Sequence, residues 1–226
     1  ILKLEGMARM KKTDIFKDIV WIMTHDSSTV KDRKGCNPQP FLEKITDDMT
    51  EQEFLYQVRT YLASFGIIGH ISFHDKKSGP KGFLLRISEQ EMFVEEANQD
   101  TGLQVGDRIL SLDGISLEQV ALQHQNYFIS LTPERRYREW ADLLLMAEQV
   151  TVLRDGQEMS IAVRASQQAQ KAQIFWKELE SDILYLRLDN FMDEEAINRL
   201  YQECLQKIAE TETLIIDVRY NNGGTD

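Results

Sequence analysis

Two consecutive glycines, Gly223 and Gly224, follow the apolar run 214–218 and an asparagine pair. A double glycine at the C-terminal edge of a buried strand lets the backbone approach a ligand closely and direct N–H groups at it. An oxyanion formed during acyl transfer needs such donors. The alternative is a plain turn, because asparagine and glycine are the commonest turn formers.

Asp217 and Arg219 flank the end of the same apolar run. Their opposite charges and their spacing favour an ion pair or an edge contact that fixes the turn. We therefore expect them to support the glycines rather than to take part in a reaction.

A second candidate site lies in the middle of the chain, where residues 100–114, DTGLQVGDRILSLDG, resemble the core motif of PDZ domains. PDZ domains bind an extended peptide as an added strand, and backbone N–H groups of a glycine-containing loop hold its terminal carboxylate. The resemblance places that loop at Lys81, Gly82 and Phe83, just before a strand that starts at Leu84. Lys81 replaces the usual apolar residue and would attract a carboxylate; the alternative is a solvated surface lysine.

Two amphipathic helices are predicted in the first part of the chain. Apolar residues recur at helical spacing over residues 11–25. Thr50 and Glu53 form a capping box that begins a second helix, which Gly66 ends. Residues 1–70 are therefore predicted to form an N-terminal helical cap.

The spacing of apolar residues then changes to that of strands, with a helical insertion that begins at Thr132 and Pro133. Residues 154–157, with Asp155 and Gly156 at their centre, predict a hairpin turn. The β-rich runs are 82–87, 93–96, 108–112, 150–153 and 160–163. Residues 71–166 are predicted to form a PDZ-like β module.

The last part of the chain predicts a strand at 183–188, a helical stripe at 197–208 and a second strand at 214–218. The second strand is almost continuously apolar, as expected when both faces of a sheet are covered. Strand, helix and strand form a right-handed βαβ unit of an α/β domain. Such a unit cannot close a core alone, so residues 167–226 are predicted to be an incomplete α/β domain, and the fold class is α+β.

The order of helical cap, PDZ-like module and a strand reading LIIDVRYNNGG resembles that of the tail-specific, or C-terminal processing, serine peptidases and their tricorn-core relatives. The resemblance spans nearly the whole chain and is most specific at 101–114 and 214–224. It implies that residues 167–226 begin a crotonase-like peptidase core, with N–H groups of Gly223 and Gly224 in the oxyanion hole. It also implies a catalytic serine in a later segment, so this stretch should be inactive alone.

The resemblance gives His70 a role as well, since the tricorn-like branch has a histidine between the second helix and the PDZ module. An imidazole titrates near neutrality and can take a proton from a serine hydroxyl. The alternatives are a structural histidine and a lysine base in the later segment, which the processing peptidases use. The family often has Asp-Gly-His or Ser-His here, whereas this chain has Ile68, Gly69 and His70.

The composition of the chain limits the classes of molecule that it is expected to bind. The chain carries 26 basic and 37 acidic residues, a net charge of −11, and no cluster of basic and aromatic residues that would follow a phosphate backbone. Nucleic acid is therefore not expected as a partner. The resemblance to the tail-specific peptidases implies instead an unstructured polypeptide or C-terminal tail as the partner. Cys36 and Cys204 do not have the spacing of a metal site, and no metal or organic cofactor is implied.

Two other functions remain open at this point. A non-enzymatic protein that binds peptides or apolar ligands could use the same scaffold, as the retinoid-binding relatives do. The cap and β module could also serve assembly into a homo-oligomer, because the incomplete sheet would leave an edge and apolar faces open. An extracytoplasmic or cell-envelope location is favoured over a cytoplasmic one, since the processing peptidases are usually exported.

Overall fold

The computed structural model describes residues 10–27, 30–31, 33–67, 71, 73, 81–88, 91–168, 173–180, 182–219, 221 and 223–224. The chain divides into two compact units, residues 1–169 and 170–226. Both contain helix and sheet, which confirms the α+β class. The finer division into three domains stays a prediction.

The first unit begins with a helical cap, residues 12–63, made of α1 (Lys12–Trp21), α2 (Gln39–Lys44) and α3 (Glu51–Ala63). The predicted capping box is confirmed. The Thr50 hydroxyl accepts a hydrogen bond from the Glu53 backbone, and the Glu53 carboxylate accepts one from the Thr50 backbone. The apolar faces of the helices meet in a core that includes Phe16, Phe54, Val58, Tyr61, Leu62 and Phe65.

A β module, residues 83–161, follows the helical cap in the first unit. Its antiparallel sheet has the order β1-β2-β3-β5-β6, and β4 pairs with β3. Two helices cover it, α4 (Leu117–Gln123) and α5 (Tyr137–Met146). The strands are β1 (Phe83–Ser88), β2 (Glu91–Ala97), β3 (Arg108–Leu112), β4 (Ile115–Ser116), β5 (Val150–Arg154) and β6 (Gln157–Ile161).

The hairpin between β5 and β6 is confirmed. Asp155 and Gly156 have φ angles of 49° and 77°, the left-handed values that a two-residue hairpin turn requires. Because the turn is this tight, β6 begins at Gln157, three residues before the predicted run.

Helix α3 joins the cap to the β module through its polar face. The Tyr56 ring stacks on Tyr127 with their centroids 4.7 Å apart, and its hydroxyl lies 2.6 Å from Nδ1 of His124. One turn further on, the Arg59 guanidinium donates to the Asp142 carboxylate at 2.7 Å. Cap and β module are therefore held together by specific polar and aromatic contacts.

The second unit contains β7 (Ile174–Glu180), β8 (Ile183–Leu188), α6 (Glu194–Glu210) and β9 (Thr213–Asp217). Strands β7 and β8 form an antiparallel pair, and β9 runs parallel to β8 after α6. The predicted strand-helix-strand unit is confirmed, and β7 is an addition to it. Leu184, Leu186, Leu200 and Cys204 form the small core between sheet and helix.

The described residues of this unit do not cover β9 on both faces, as expected for a strand-helix-strand unit that cannot close a core alone. Leu214, Ile215 and Ile216 keep 39%, 40% and 52% of their surface exposed. The sheet order β7-β8-β9 puts β9 at an edge of the described sheet. The strand forms as its sequence predicts, but these residues do not supply enough neighbours to cover it.

Candidate functional site

Strand β1 offers an open edge for an extended chain. Within the described residues it pairs only with β2 and stands first in the sheet order. Helix α5 packs against β1. An edge strand flanked by a helix is the arrangement in which a peptide can be added as a further strand.

The turn before β1 is built around Gly82. Its φ of 80° lies in the left-handed region, and a Cβ atom there would lie 2.1 Å from Cβ of Ser166. The Lys81 carbonyl accepts from the Ser166 N–H, and the Gly82 carbonyl accepts from the Asn98 N–H. The backbone therefore requires glycine here. Phe83 is buried in the core and Leu84 is half-buried, so Phe83 has only its backbone to present to a ligand.

The Lys81 side chain is bound within the protein. Its ammonium lies 2.7 Å from the Asp142 carboxylate and donates to the Arg138 carbonyl at 2.8 Å. Burial lowers the pKa of Lys81, and attraction to Asp142 offsets only part of this effect. A carboxylate approaching Lys81 would therefore compete with Asp142, and carboxylate capture by this lysine stays a prediction.

Asp142 is shared by two cations. It accepts from Arg59 and from the Tyr127 hydroxyl, at 2.7 and 3.0 Å, and also pairs with Lys81. Burial raises the pKa of Tyr127 above its usual range, so its hydroxyl stays a donor. The network connects α3, α5 and the turn before β1. No spacing in the sequence indicated it, because its members are far apart along the chain.

A cavity of about 560 Å³ adjoins this network. Its walls come from α3, from residues 71 and 73, from the segment 127–135 and from the first turns of α5. The lining residues are Arg59, Leu62, Ile71, Phe73, Lys81, Tyr127, Ile129, Ser130, Arg135, Tyr137, Arg138, Glu139 and Asp142. The volume is that of a typical small-ligand pocket.

In the second unit, Gly223 and Gly224 lie in a turn that is fixed by hydrogen bonds. The Gly223 N–H donates to Oδ1 of Asn221 at 2.7 Å, and the Gly223 carbonyl accepts from the Phe191 N–H at 2.9 Å. The Asn221 amide donates to the Leu188 carbonyl at 2.8 Å. An oxyanion at Gly223 would have to replace Asn221 as acceptor, so the roles of Gly223 and Gly224 in an oxyanion hole stay predictions.

Gly224 packs closely against the segment after β8. A Cβ atom at Gly224 would lie 2.7 Å from Cβ of Phe191. The same two residues form a parallel β-bridge. Glycine at this position thus permits a close backbone approach, which is the property for which the sequence singled it out.

Asp217 and Arg219 form the expected ion pair beside this turn. The Arg219 guanidinium donates to both Asp217 oxygens, at 2.9 and 2.7 Å, and the Tyr185 hydroxyl donates to Oδ2 at 2.5 Å. Hydrogen bonds from Arg219 hold the pKa of Asp217 well below its usual range, although burial opposes them. The carboxylate is therefore a fixed anion that anchors the end of β9.

His70 lies outside the described residues, so its role as a base stays a prediction. Among the described residues there is no group of three or more histidine, cysteine, aspartate or glutamate side chains that could hold a metal ion. No described helix is long and apolar enough to span a bilayer. Cys204 is buried and Cys36 is exposed, and both are free thiols.

Comparison by sequence gives no relative. No known family profile and no curated protein matches this chain.

Comparison by structure gives similar folds. Mature CPAF complexed with lactacystin matches with a TM-score of 0.56 and 12% identity, over 95% of this chain and 57% of that chain. A second structure of mature CPAF matches with a TM-score of 0.47 and 12% identity, over 95% and 56%. The photosystem II D1 C-terminal processing protease matches with a TM-score of 0.37 and 15% identity, over 96% and 63%.

The likeness to the CPAF complex establishes a shared fold over nearly all of this chain. The other two scores are too low to support an argument. This chain spans less than two thirds of the length of each of these proteins.

Proposed function

We propose that this chain is the N-terminal portion of a serine endopeptidase of the tail-specific type. In this proposal the β module is PDZ-like and binds an unstructured polypeptide or C-terminal tail. The second unit begins a crotonase-like core, and the nucleophilic serine lies in a later segment. This stretch alone would then bind polypeptide without cleaving it.

The observation that carries the proposal is the edge of β1, which is unpaired among the described residues and has the glycine-dependent turn at Gly82 in front of it. Adding a substrate strand there would use backbone hydrogen bonds and would tolerate many sequences. The shared fold with mature CPAF, whose solved structure contains lactacystin, agrees with this class of reaction.

The proposed chemistry is acyl transfer. A serine attacks the scissile carbonyl, His70 or a later lysine accepts the serine proton, and the Gly223 N–H, with Gly224 beside it, stabilises the oxyanion. The base later returns the proton to the leaving amine, and water releases the acyl group. Asp217 and Arg219 act by holding the turn in place.

A second candidate is a non-enzymatic binding protein, which one specific observation favours. The Gly223 N–H already donates to Asn221. A binding protein needs no free oxyanion donor, whereas a peptidase must exchange Asn221 for its substrate.

The experiment compares the full gene product with its His70→Ala variant on an unfolded polypeptide, and follows cleavage and labelling by a serine-directed phosphonate. A His74→Ala variant is the matched control. We expect the parent and the control to cleave and His70→Ala to lose about a thousandfold in rate, as when one member of a nucleophile–base unit is removed.

Three outcomes are distinguishable. Cleavage that survives His70→Ala indicates a lysine base. An equal loss in both variants indicates a structural effect of this segment. No cleavage and no labelling of the parent contradicts the peptidase and supports the binding protein.

A further inference from the structure

Lys81 and Asp142 lie where the cavity meets the turn before β1. Both residues line the cavity, and Lys81 directly precedes Gly82 and the strand β1. A lysine beside a peptide-binding turn would ordinarily attract the terminal carboxylate of a ligand. Its ability to do so here depends on the groups to which its ammonium is already bound.

A polypeptide added to β1 would bring one end of its bound segment to this turn. The described pairings of the β module are antiparallel, and in an antiparallel addition the C-terminal end of the added strand lies beside the start of β1. The Gly82 carbonyl accepts from the N–H of Asn98, which follows β2. Because the peptide bond is trans, the Phe83 N–H points the opposite way, to the edge that is unpaired among the described residues.

The Phe83 N–H can bind either a terminal carboxylate or the carbonyl of a chain that continues past the turn. The choice between a C-terminal tail and an internal segment is therefore set by the charged groups around the turn, because only the tail carries a negative charge there.

The charged groups nearest the turn are already paired within the protein. Oδ1 of Asp142 lies 2.7 Å from the Lys81 ammonium, which also donates to the Arg138 carbonyl at 2.8 Å. Oδ2 of Asp142 accepts from Arg59 at 2.7 Å and from the Tyr127 hydroxyl at 3.0 Å. Both oxygens of Asp142 are thus engaged, and three donors hold the carboxylate beside Lys81.

The partly buried charges that line the cavity also balance one another. Arg59 and Lys81 contribute two formal positive charges, and Asp142 and Glu139 contribute two negative ones. The other two lining cations, both arginines of the segment 135–138, are exposed to solvent, where their fields are screened. A terminal carboxylate would have to take Lys81 from Asp142 and would then lie close to a second carboxylate, which repels it.

We propose that Asp142 is a specificity-determining residue: it occupies Lys81, so that the turn before β1 accepts internal polypeptide segments and gives no preference to a free C-terminal carboxylate. Lys81 then supports the turn through Asp142 instead of capturing the end of a tail. That the ligand is a polypeptide rests on the proposed function, whereas the shielding of Lys81 from external carboxylates does not.

The first test compares two forms of one peptide. The peptide has six residues of alternating threonine and valine, which favour a strand, and an acetylated N-terminus. One form ends in a free carboxylate and the other in a carboxamide, which represents a chain that continues. Calorimetric titration of the whole chain at neutral pH measures both affinities. We expect the two forms to bind the parent within about threefold of each other, because Lys81 is already paired.

The variant Asp142→Asn keeps the size of the side chain and removes the charge that occupies Lys81. We expect it to bind the free acid about tenfold more tightly than the carboxamide, the effect of one charge-assisted hydrogen bond. Adding Lys81→Met to this variant should remove the preference. Asp155→Asn, in the exposed hairpin between β5 and β6, is the matched control and should bind both forms as the parent does.

Urea unfolding shows whether Asp142→Asn is folded, since the change leaves Arg59 and Lys81 without their anionic partner. If it is not folded, the double variant Arg59→Met and Asp142→Asn takes its place, because it removes one charge of each sign. This double variant should show the same preference for the free acid.

A second readout needs no peptide. Acetate is added to the whole chain, and NMR follows the signals of the Lys81 methylene group next to the ammonium. We expect acetate to leave these signals unchanged in the parent and to shift them in Asp142→Asn, because only the variant presents Lys81 without a carboxylate partner.

Four results would overturn the inference. They are a parent that prefers the free acid by more than about threefold, a folded Asp142→Asn that shows no such preference, a preference that survives Lys81→Met, and acetate shifts as large in the parent as in Asp142→Asn. The proposed function fails separately. If acetate distinguishes the two proteins as expected, but neither peptide form binds and the full gene product neither binds nor cleaves unfolded polypeptide, the shielding of Lys81 stands and the peptidase does not.

Discussion

Strands β5 and β9 have similarly apolar sequences but very different surroundings. Val150 and Val152 of β5 are 0% exposed, whereas Leu214, Ile215 and Ile216 of β9 are 39–52% exposed. Strand β5 lies between β3 and β6, while β9 has a strand neighbour on one side only within the described sheet. The apolar composition of a strand thus shows how much surface the strand can bury. The elements beside the strand determine whether that surface is in fact buried.

The two glycine turns differ in the same way, since one is enclosed by neighbouring atoms and the other is not. Gly82 in the first unit is enclosed, since a Cβ atom there would lie 2.1 Å from Cβ of Ser166. Gly223 in the second unit has a comparable φ of 93°, but no atom of the described residues lies within 4 Å of a Cβ built there. Packing therefore constrains the glycine itself at Gly82, whereas at Gly223 the turn is constrained by hydrogen bonds of the backbone.

The largest expected effect lies in the core of the first unit. Leu144 of α5 is 0% exposed, so Leu144→Ala should lower the free energy of unfolding by about 3–4 kcal/mol, through lost burial and the cavity left behind. Urea unfolding measures it. Leu122→Ala on α4, where the side chain is 64% exposed, is the control and should change stability by about 0.5 kcal/mol or less. Similar losses in both variants would contradict the described core.

An intermediate effect distinguishes the two glycine turns. Gly82→Ala should lower the free energy of unfolding by about 3 kcal/mol, because it adds overlap with Ser166 to the cost of a left-handed backbone. Gly223→Ala should cost only about 1–2 kcal/mol, since the backbone cost alone remains. Thermal unfolding of both variants tests this order. If Gly223→Ala lowers the free energy of unfolding as much as Gly82→Ala does, the position of Gly223 is also enclosed in solution.

The smallest expected effect is in β9. Ile215→Thr should change the free energy of unfolding by about 1 kcal/mol or less, because the side chain is already 40% exposed and threonine also favours strands. Urea unfolding at two protein concentrations, with sedimentation, measures this. Leu184→Ala in β8, at a fully buried position, is the matched control and should cost about 3 kcal/mol.

A larger decrease in the free energy of unfolding of Ile215→Thr, dependent on protein concentration, would contradict the conclusion that β9 is uncovered. It would mean that a second copy of the chain covers β9, as the possible homo-oligomer requires. Sedimentation as a single species, with a small loss, would argue against that assembly.

Local sequence signals predicted most of the elements. The capping box at Thr50 and Glu53 and the hairpin at Asp155 and Gly156 are confirmed, because such motifs satisfy their own hydrogen bonds over a few residues. The strand-helix-strand order of the second unit is also confirmed, because the spacing of apolar residues in each segment indicates its type. Strand β7 was not predicted, since four of its seven side chains are exposed and none is buried, so its apolar pattern is weak.

Contacts between residues that are far apart along the chain could not be predicted from the sequence. Lys81 was correctly placed before a strand, but nothing near it in sequence indicated that Asp142 would take its charge. The cavity depends on α3, α5 and the segment between them meeting in space. His70 falls outside the described residues, so its role is still the one suggested by resemblance.

The hydrogen bond between Asn221 and Gly223 has a consequence for timing. An N–H donor that is already hydrogen-bonded within the protein cannot stabilise an oxyanion in the resting state. It becomes available only when the oxyanion replaces its present acceptor. If Gly223 serves an oxyanion, the departure of Asn221 becomes a step that precedes reaction, and the Leu188 carbonyl that holds the Asn221 amide helps to set its rate. The turn would then act as a latch that only a bound substrate opens.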